Sequence, residues 1–326
     1  MTRLFGTDGV RGIANADLEP ELAFKLGEAA AHFMASRGGG KVVVGKDTRR
    51  SGDMIEAALV AGLCAGGADA LLAGVIPTPA VAFLVKSLGA DGGVVISASH
   101  NPPEYNGIKF FDRDGYKLSD EVEDEVSEYI LAGSAQPRRT GEGVGRAADI
   151  DDAIERYVEQ VCSHAATGLA GIKVAVDCGH GAAGTTTPMA LERLGAEVTA
   201  INCDSDGMDI NLGCGSTHLE VVKELVCSSG AHIGIAHDGD ADRILAVDEA
   251  CNEVDGDAIL NILAGRMQDQ GTLRGDVVVA TVMSNMGLEV ALKERGVHLI
   301  RTKVGDRYVL EQLMTSGATL GGEQSG

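Results

Sequence analysis

Two apolar periods alternate along the chain, and their order predicts its architecture. Residues 21–35 put Leu22, Leu26, Ala29 and Phe33 on one helical face, and Lys41-Val-Val-Val-Gly45 follows as a short buried strand. A helix over 54–65, the strand Ala70-Leu-Leu-Ala73 and a helix opened by Thr78 as N-cap with Pro79 at its first position continue the cycle. Gly93-Val-Val-Ile96 is the next strand, and a cluster of Gly, Pro, Arg and Ser over 133–145 marks the end of the unit.

A second cycle runs through a helix over 150–162, a strand over 173–176, the glycine-rich loop 179–184 and a helix reaching Leu194. It continues with a strand over 197–201, a helix capped by Thr217, and strands over 233–235 and 244–247. A third cycle begins at Asp255, with helices over 258–267, 286–295 and 308–314 and strands over 277–281, 298–300 and 318–320. Short β-rich runs alternating with longer amphipathic segments predict largely parallel sheets with helices on both faces. The 326 residues suit two or three such domains, and this order of elements gives three.

Composition narrows the functions available. The chain is 44% apolar and 23% charged, which is enough apolar material for buried cores. It has no Trp, only 3% aromatic residues and a formal charge of −21 without any run of Lys and Arg, so nucleic acid is not an expected partner. The amino terminus lacks the apolar stretch of a secretion signal and no segment is long and apolar enough for a membrane helix, so the expected location is the cytoplasm. The seven cysteines are scattered without a C-x-x-C pair and are read as reduced thiols.

Ligands of open parallel sheets sit beyond the carboxyl ends of the strands, so the loops after strands carry the candidate chemistry. Ser97-Ala-Ser-His-Asn-Pro102 follows one such strand; it is either a self-bonded turn or a rigid loop that projects a hydroxyl. Asp238-Gly-Asp-Ala-Asp-Arg243 sets three carboxylates at alternate positions between two strands, where they repel one another unless a cation lies among them. Such oxygen ligands suit Mg²⁺, and Arg243 stands where a calcium hand requires Gly. Gly321-Gly-Glu-Gln-Ser-Gly326 offers close backbone approach with Glu323 and Ser325, and Lys303-Val-Gly-Asp-Arg307 precedes a helix whose backbone N–H groups, with Lys303 and Arg307, could meet an anion.

With Phe5-Gly-Thr-Asp-Gly-Val-Arg-Gly12 and Asn106-Gly-Ile-Lys109, these loops resemble the α-D-phosphohexomutase family over the entire chain, and the first and last motifs resemble its glucosamine branch. The resemblance implies three consecutive similar α/β domains with mixed, largely parallel sheets. They cover 1–148 with the phosphoserine loop, 149–253 with the Mg²⁺-binding aspartate loop and 254–326 with the sugar-recognition loop. The third would be incomplete and the family's fourth domain absent, so the sequence reads as the leading part of a longer protein.

The resemblance further implies that Ser99 carries phosphate and that Mg²⁺ is held by Ser99, Asp238, Asp240 and Asp242, with Arg243 on phosphate. Arg11, His100 and Lys109 would stand at the transfer site, and Lys303, Gly305, Asp306, Arg307, Glu323 and Ser325 would bind substrate. The reaction implied is the interconversion of glucosamine 6-phosphate and glucosamine 1-phosphate, on the route to UDP-N-acetylglucosamine and cell wall, through a sugar 1,6-bisphosphate that also acts as activator. The alternatives are a mutase for glucose or mannose phosphates, a phosphatase, and a truncated fragment that binds sugar phosphate without turnover. The expected partner is a small sugar phosphate, with no nucleic acid or membrane, and a homodimer is the candidate assembly.

Overall fold

The computed structural model describes residues 4–6, 8–34, 40–133 and 138–326. Thr7 of the opening motif and residues 134–137 of the candidate linker lie outside the described residues.

The first unit contains β1 (Val10–Ile13), α1 (Pro20–Met34), β2 (Lys41–Lys46), α2 (Gly52–Gly66), β3 (Asp69–Val75), α3 (Thr78–Leu88), β4 (Gly92–Ile96), β5 (Tyr105–Phe111), α4 (Asp120–Leu131) and β6 (Ala147–Asp149). Its sheet has the order β1-β5-β4-β2-β3-β6. The pairs joining β2 to β3 and β4, and β3 to β6, are parallel, as the alternation of strands and helices predicts. The short strands β1 and β5, which periodicity did not reveal, add an antiparallel edge. The strand β6 ends at Asp149, one residue past the expected domain boundary at 148. Helices α1 and α2 approach closely because both present glycine: a Cβ on Gly62 would lie 2.1 Å from the Phe24 carbonyl oxygen.

The second unit follows α5 (Ala153–Ser163) and contains β7 (Lys173–Asp177), α6 (Ala183–Arg193), β8 (Glu197–Ile201), α7 (Leu219–Ser229), β9 (Ile233–His237), β10 (Ile244–Asp248) and β11 (Glu253–Val254). Its sheet order is β11-β10-β9-β7-β8, parallel from β8 through β9 and antiparallel beyond. The cap of α7 is His218, with Thr217 in a preceding 3-10 turn. Cys227 on α7 and Cys251 after β10 are joined in a disulfide, with Cα atoms 6.3 Å apart, so the expectation of seven reduced thiols fails for these two. Their pairing follows from α7 packing on β10, a proximity that a sequence separation of 24 conceals.

The third unit contains α8 (Gly256–Asp269), β12 (Val277–Thr281), α9 (Met286–Glu294), β13 (His298–Thr302), α10 (Asp306–Ser316) and β14 (Gly321–Gly322). Its three strands are parallel in the order β13-β12-β14. The expected strand over 318–320 is displaced to Gly321 and Gly322, so the glycine motif starts inside the sheet instead of after it. No helix among the described residues is long and apolar enough to cross a membrane.

Candidate active site

The Ser97–Pro102 loop leaves β4 at the carboxyl end of its strand, and the Asp238–Arg243 loop leaves β9 in the same sense. The two meet backbone to backbone. A Cβ on Gly239 would lie 2.7 Å from the Ser99 carbonyl oxygen and 2.9 Å from Asn211 Nδ2, so only glycine fits between the aspartates. Ser99 takes φ +53°, a left-handed conformation uncommon for serine, and is 2% exposed. Its Oγ donates to Asp238 Oδ2 at 2.5 Å and stands 3.4 Å from His100 Nδ1.

The three aspartates converge so that one carboxylate oxygen from each lies within 4.8 Å of the others. Asp240 Oδ2 accepts from Thr78 Oγ1 at 2.5 Å and from Lys109 Nζ at 2.7 Å, while Asp240 Oδ1 is buried without a hydrogen-bond partner. Burial and the charges of Asp240 and Asp242 push the Asp238 carboxyl well above its ordinary value. Burial and Asp240 also raise Asp242. For Asp240, burial is outweighed by the Lys109 charge and the hydrogen bonds from Lys109 and Thr78, which bring its carboxyl to about 2. An all-oxygen donor set, with two raised carboxyls and one orphaned buried oxygen, fits a hard divalent cation.

Lys109, on β5 opposite Val95, also faces Asp8 Oδ2 at 3.1 Å and Asp242 Oδ2 at 3.5 Å. Burial alone would favour the neutral amine, but Asp240, Asp242 and Asp8 hold Lys109 protonated. Arg11 pairs with Asp8. Burial, followed by the Arg243 and Arg11 charges, keeps His100 toward its neutral form. The Arg243 backbone N–H closes on Asp238 Oδ1 at 3.2 Å. Ser99, His100, Lys109, Arg11, Asp238, Asp240, Asp242 and Arg243 are thus gathered in one cluster.

The third unit joins this cluster through charge. Asp306 meets Lys117 Nζ at 2.8 Å, and Lys117 meets Asp8 Oδ1 at 2.6 Å, so an ionic chain runs from α10 to Lys109 and Asp240. Gly326 accepts from Ile244 N at 3.0 Å, which ties the end of the glycine motif to the residue after Arg243. Lys303 and Ser325 are exposed, and Lys303 Nζ lies over the Tyr308 ring. Glu323 Oε1 accepts the Gly305 N–H at 3.0 Å, so that N–H is not available to an anion.

Arg307 departs from its expected place among the substrate ligands. It is buried against α4, with Nη2 2.7 Å from Glu123 Oε1 and Nη1 on Asp120, because the first turn of α10 packs on the acidic first turn of α4. Sequence reasoning gave no site role to Asp8, Asp47, Arg49, Thr78, Ser97, Lys117 or Asn211, although Asp8 and Ser97 lie in the quoted motifs and Thr78 was read as an N-cap; all of them touch the cluster or its loops. Asp47 and Arg49 follow β2 directly, so a search of every loop after a strand would have reached them.

Models of phosphoglucomutase/phosphomannomutase α/β/α domains I, II and III match residues 2–137, 155–252 and 255–326. The chain is 54% identical over its whole length to a phosphoglucosamine mutase of Desulforudis audaxviator and 56% identical to one of Moorella thermoacetica, spanning 73% and 74% of those proteins. The crystal structure of a phosphoglucomutase/phosphomannomutase family protein from Burkholderia thailandensis is similar with a TM-score of 0.87 and 28% identity, over 99% of this chain and 71% of that one.

Proposed function

Because the chain belongs to the phosphoglucomutase/phosphomannomutase family, we propose that it interconverts glucosamine 6-phosphate and glucosamine 1-phosphate by lending and recovering a phosphate on Ser99. The observation that carries this is the 2.5 Å approach of Ser99 Oγ to Asp238, beside three converging carboxylates and the orphaned oxygen of Asp240. Asp238, Asp240, Asp242 and phosphorylated Ser99 would hold Mg²⁺, which when bound would supply Lewis-acid withdrawal of charge from the phosphoryl group.

The protein's own residues do the rest. In the first half-reaction the bond between Ser99 Oγ and phosphorus breaks, and a bond from the free sugar hydroxyl to phosphorus forms. The hydroxyl proton leaves to a base, and Ser99 Oγ recovers a proton. His100, held toward its neutral form beside Oγ, is the base on hand, and Lys109 stays cationic and supplies positive charge at the transfer site. The sugar 1,6-bisphosphate then turns over and returns its other phosphate to Ser99. Glu323 and Ser325 hold sugar hydroxyls and Lys303 meets phosphate, while Arg307 and the Gly305 N–H are committed within the protein. Asp306 acts through Lys117. The enzyme works in the cytoplasm, and a homodimer remains its candidate assembly.

A coupled assay for glucosamine 1-phosphate, with Mg²⁺ and a trace of glucose 1,6-bisphosphate, tests the proposal. Ser99→Ala is expected to lower kcat by about 10³-fold or more. Wild-type turnover by that variant would sink the carrier role, and a higher kcat/KM for glucose or mannose 6-phosphate would reject the sugar assignment.

A further inference from the structure

Arg49 stands outside the residues placed in the reaction above, and its contacts converge on the loop that performs it. The residue is 2% exposed and donates to four backbone carbonyls of that loop and its return. Nη2 reaches the oxygens of Ser99 at 2.8 Å and Asn101 at 2.7 Å. Nη1 reaches Tyr105 O at 3.0 Å and also Pro102 O. Nε goes to Asp47 Oδ2 at 3.0 Å. Asp47 in turn accepts from Arg49 N at 3.0 Å and Ser97 Oγ at 2.6 Å, and Ser97 Oγ accepts from the Ser99 N–H at 2.8 Å.

We propose that Arg49 is a positioning residue for phosphoryl transfer, the centre of a buried clamp with Asp47 and Ser97 that sets Ser99 for attack and departure. Three physical points support it. A loop carrying a phosphate dianion is repelled by its own carbonyl oxygens, and Arg49 gathers those oxygens onto a single cation. Asp47 neutralises that cation within the fold, so Arg49 organises the loop without competing for the substrate's phosphates. Ser99 keeps its left-handed conformation only where its surroundings fix it, and the clamp grips it at both N–H and carbonyl. A planar guanidinium can serve this fan of acceptors, whereas an ammonium cannot span it.

The inference rests on the phosphoryl-transfer function proposed above. It is tested on the loading step, in which a phosphorus–oxygen bond of a sugar bisphosphate breaks as Ser99 Oγ bonds to phosphorus. The Oγ proton passes through the cleft to the sugar oxygen that leaves. Phosphate-free protein is mixed with Mg²⁺ and varied glucose 1,6-bisphosphate, quenched at intervals, and its phosphate on Ser99 counted by intact mass. Arg49→Lys is expected to slow maximal loading per folded molecule by about 10- to 100-fold. The half-saturating bisphosphate concentration should stay within about two-fold. Ser97→Ala, which removes one hydroxyl of the clamp, should slow loading in the same sense by a smaller factor.

A merely structural Arg49 would lower the folded fraction and the melting temperature while the folded molecules load at the wild-type rate, and that result overturns the proposal. So does a variant whose half-saturation rises with its maximal rate unchanged. If Arg49→Lys does not fold, Ser97→Ala decides, and wild-type loading by it counts against the clamp. Absence of loading in the unaltered chain removes the carrier function and the clamp with it.

Discussion

Asp8 shows how single charges are balanced in this site. Burial opposes its ionisation, but Lys109, Lys117 and Arg11 outweigh that cost and hold its carboxyl well below the usual range. In the unfolded chain the same group titrates near about 3.9. Its native ion pairs therefore stabilise the fold fully above that pH, and their contribution is lost as acid protonates the unfolded chain first. Between about pH 4 and 2, Asp8→Asn should flatten the pH dependence of first-unit stability by up to about 1.4 kcal/mol per pH unit, read from urea unfolding across that range. An unchanged slope would show that the three cations do not act on Asp8 in solution. Ser99 and the three aspartates were legible in sequence because each lies in a short polar loop directly after an apolar strand, where the local pattern itself is unusual. Arg49 and Thr78 were not, because their meaning lies in partners 50 residues away at Ser99 and 162 residues away at Asp240. Arg307 misled for the same reason: charge before a helix resembles an anion site until Glu123, 184 residues distant, claims it.

At the scale of elements, the α/β repeat was readable wherever a strand was buried on both faces, as in β4, and flanked by an amphipathic helix. β5 escaped notice because Lys109 and Asn106 interrupt its apolar run, although both are buried. The start of α3 shows a functional override of a local rule. Thr78 and Pro79 read as N-cap and first turn, yet the cap is Pro77 and the freed Thr78 hydroxyl serves Asp240. Where no site intervenes, packing alone sets the sequence, and α1 against α2 is such a case. Gly62→Ala would drive a methyl into the Phe24 carbonyl and force the helices apart. A loss of about 1–3 kcal/mol is expected, seen as a lower melting temperature of the first unit, with mutase activity at low temperature preserved because the pair lies away from Ser99. A variant as stable as the wild type would mean that the helices separate without strain.

At the scale of the whole molecule, the site is assembled from three units, and charged contacts hold the third to the first. Lys117 with Asp306, and Arg307 with Glu123 and Asp120, both sit at the start of α10. Arg307→Met should weaken that docking by about 3–5 kcal/mol, the usual effect of removing one partner of a buried ion pair. Small-angle scattering would register the loss as a larger radius of gyration, and an unaltered scattering curve would assign the docking to other contacts.

Gly239 has no side chain and performs no chemistry, yet a Cβ there would press against the Ser99 carbonyl and Asn211. In genetic terms, this makes position 239 intolerant for a reason that charge or reactivity would not reveal. Every missense codon there places a Cβ against the loop that carries phosphate. In a library of single substitutions selected for growth on this enzyme's product, position 239 should be as depleted of survivors as Ser99 itself. Recovery of alanine or serine at 239 would show that the two loops can separate and still transfer phosphate.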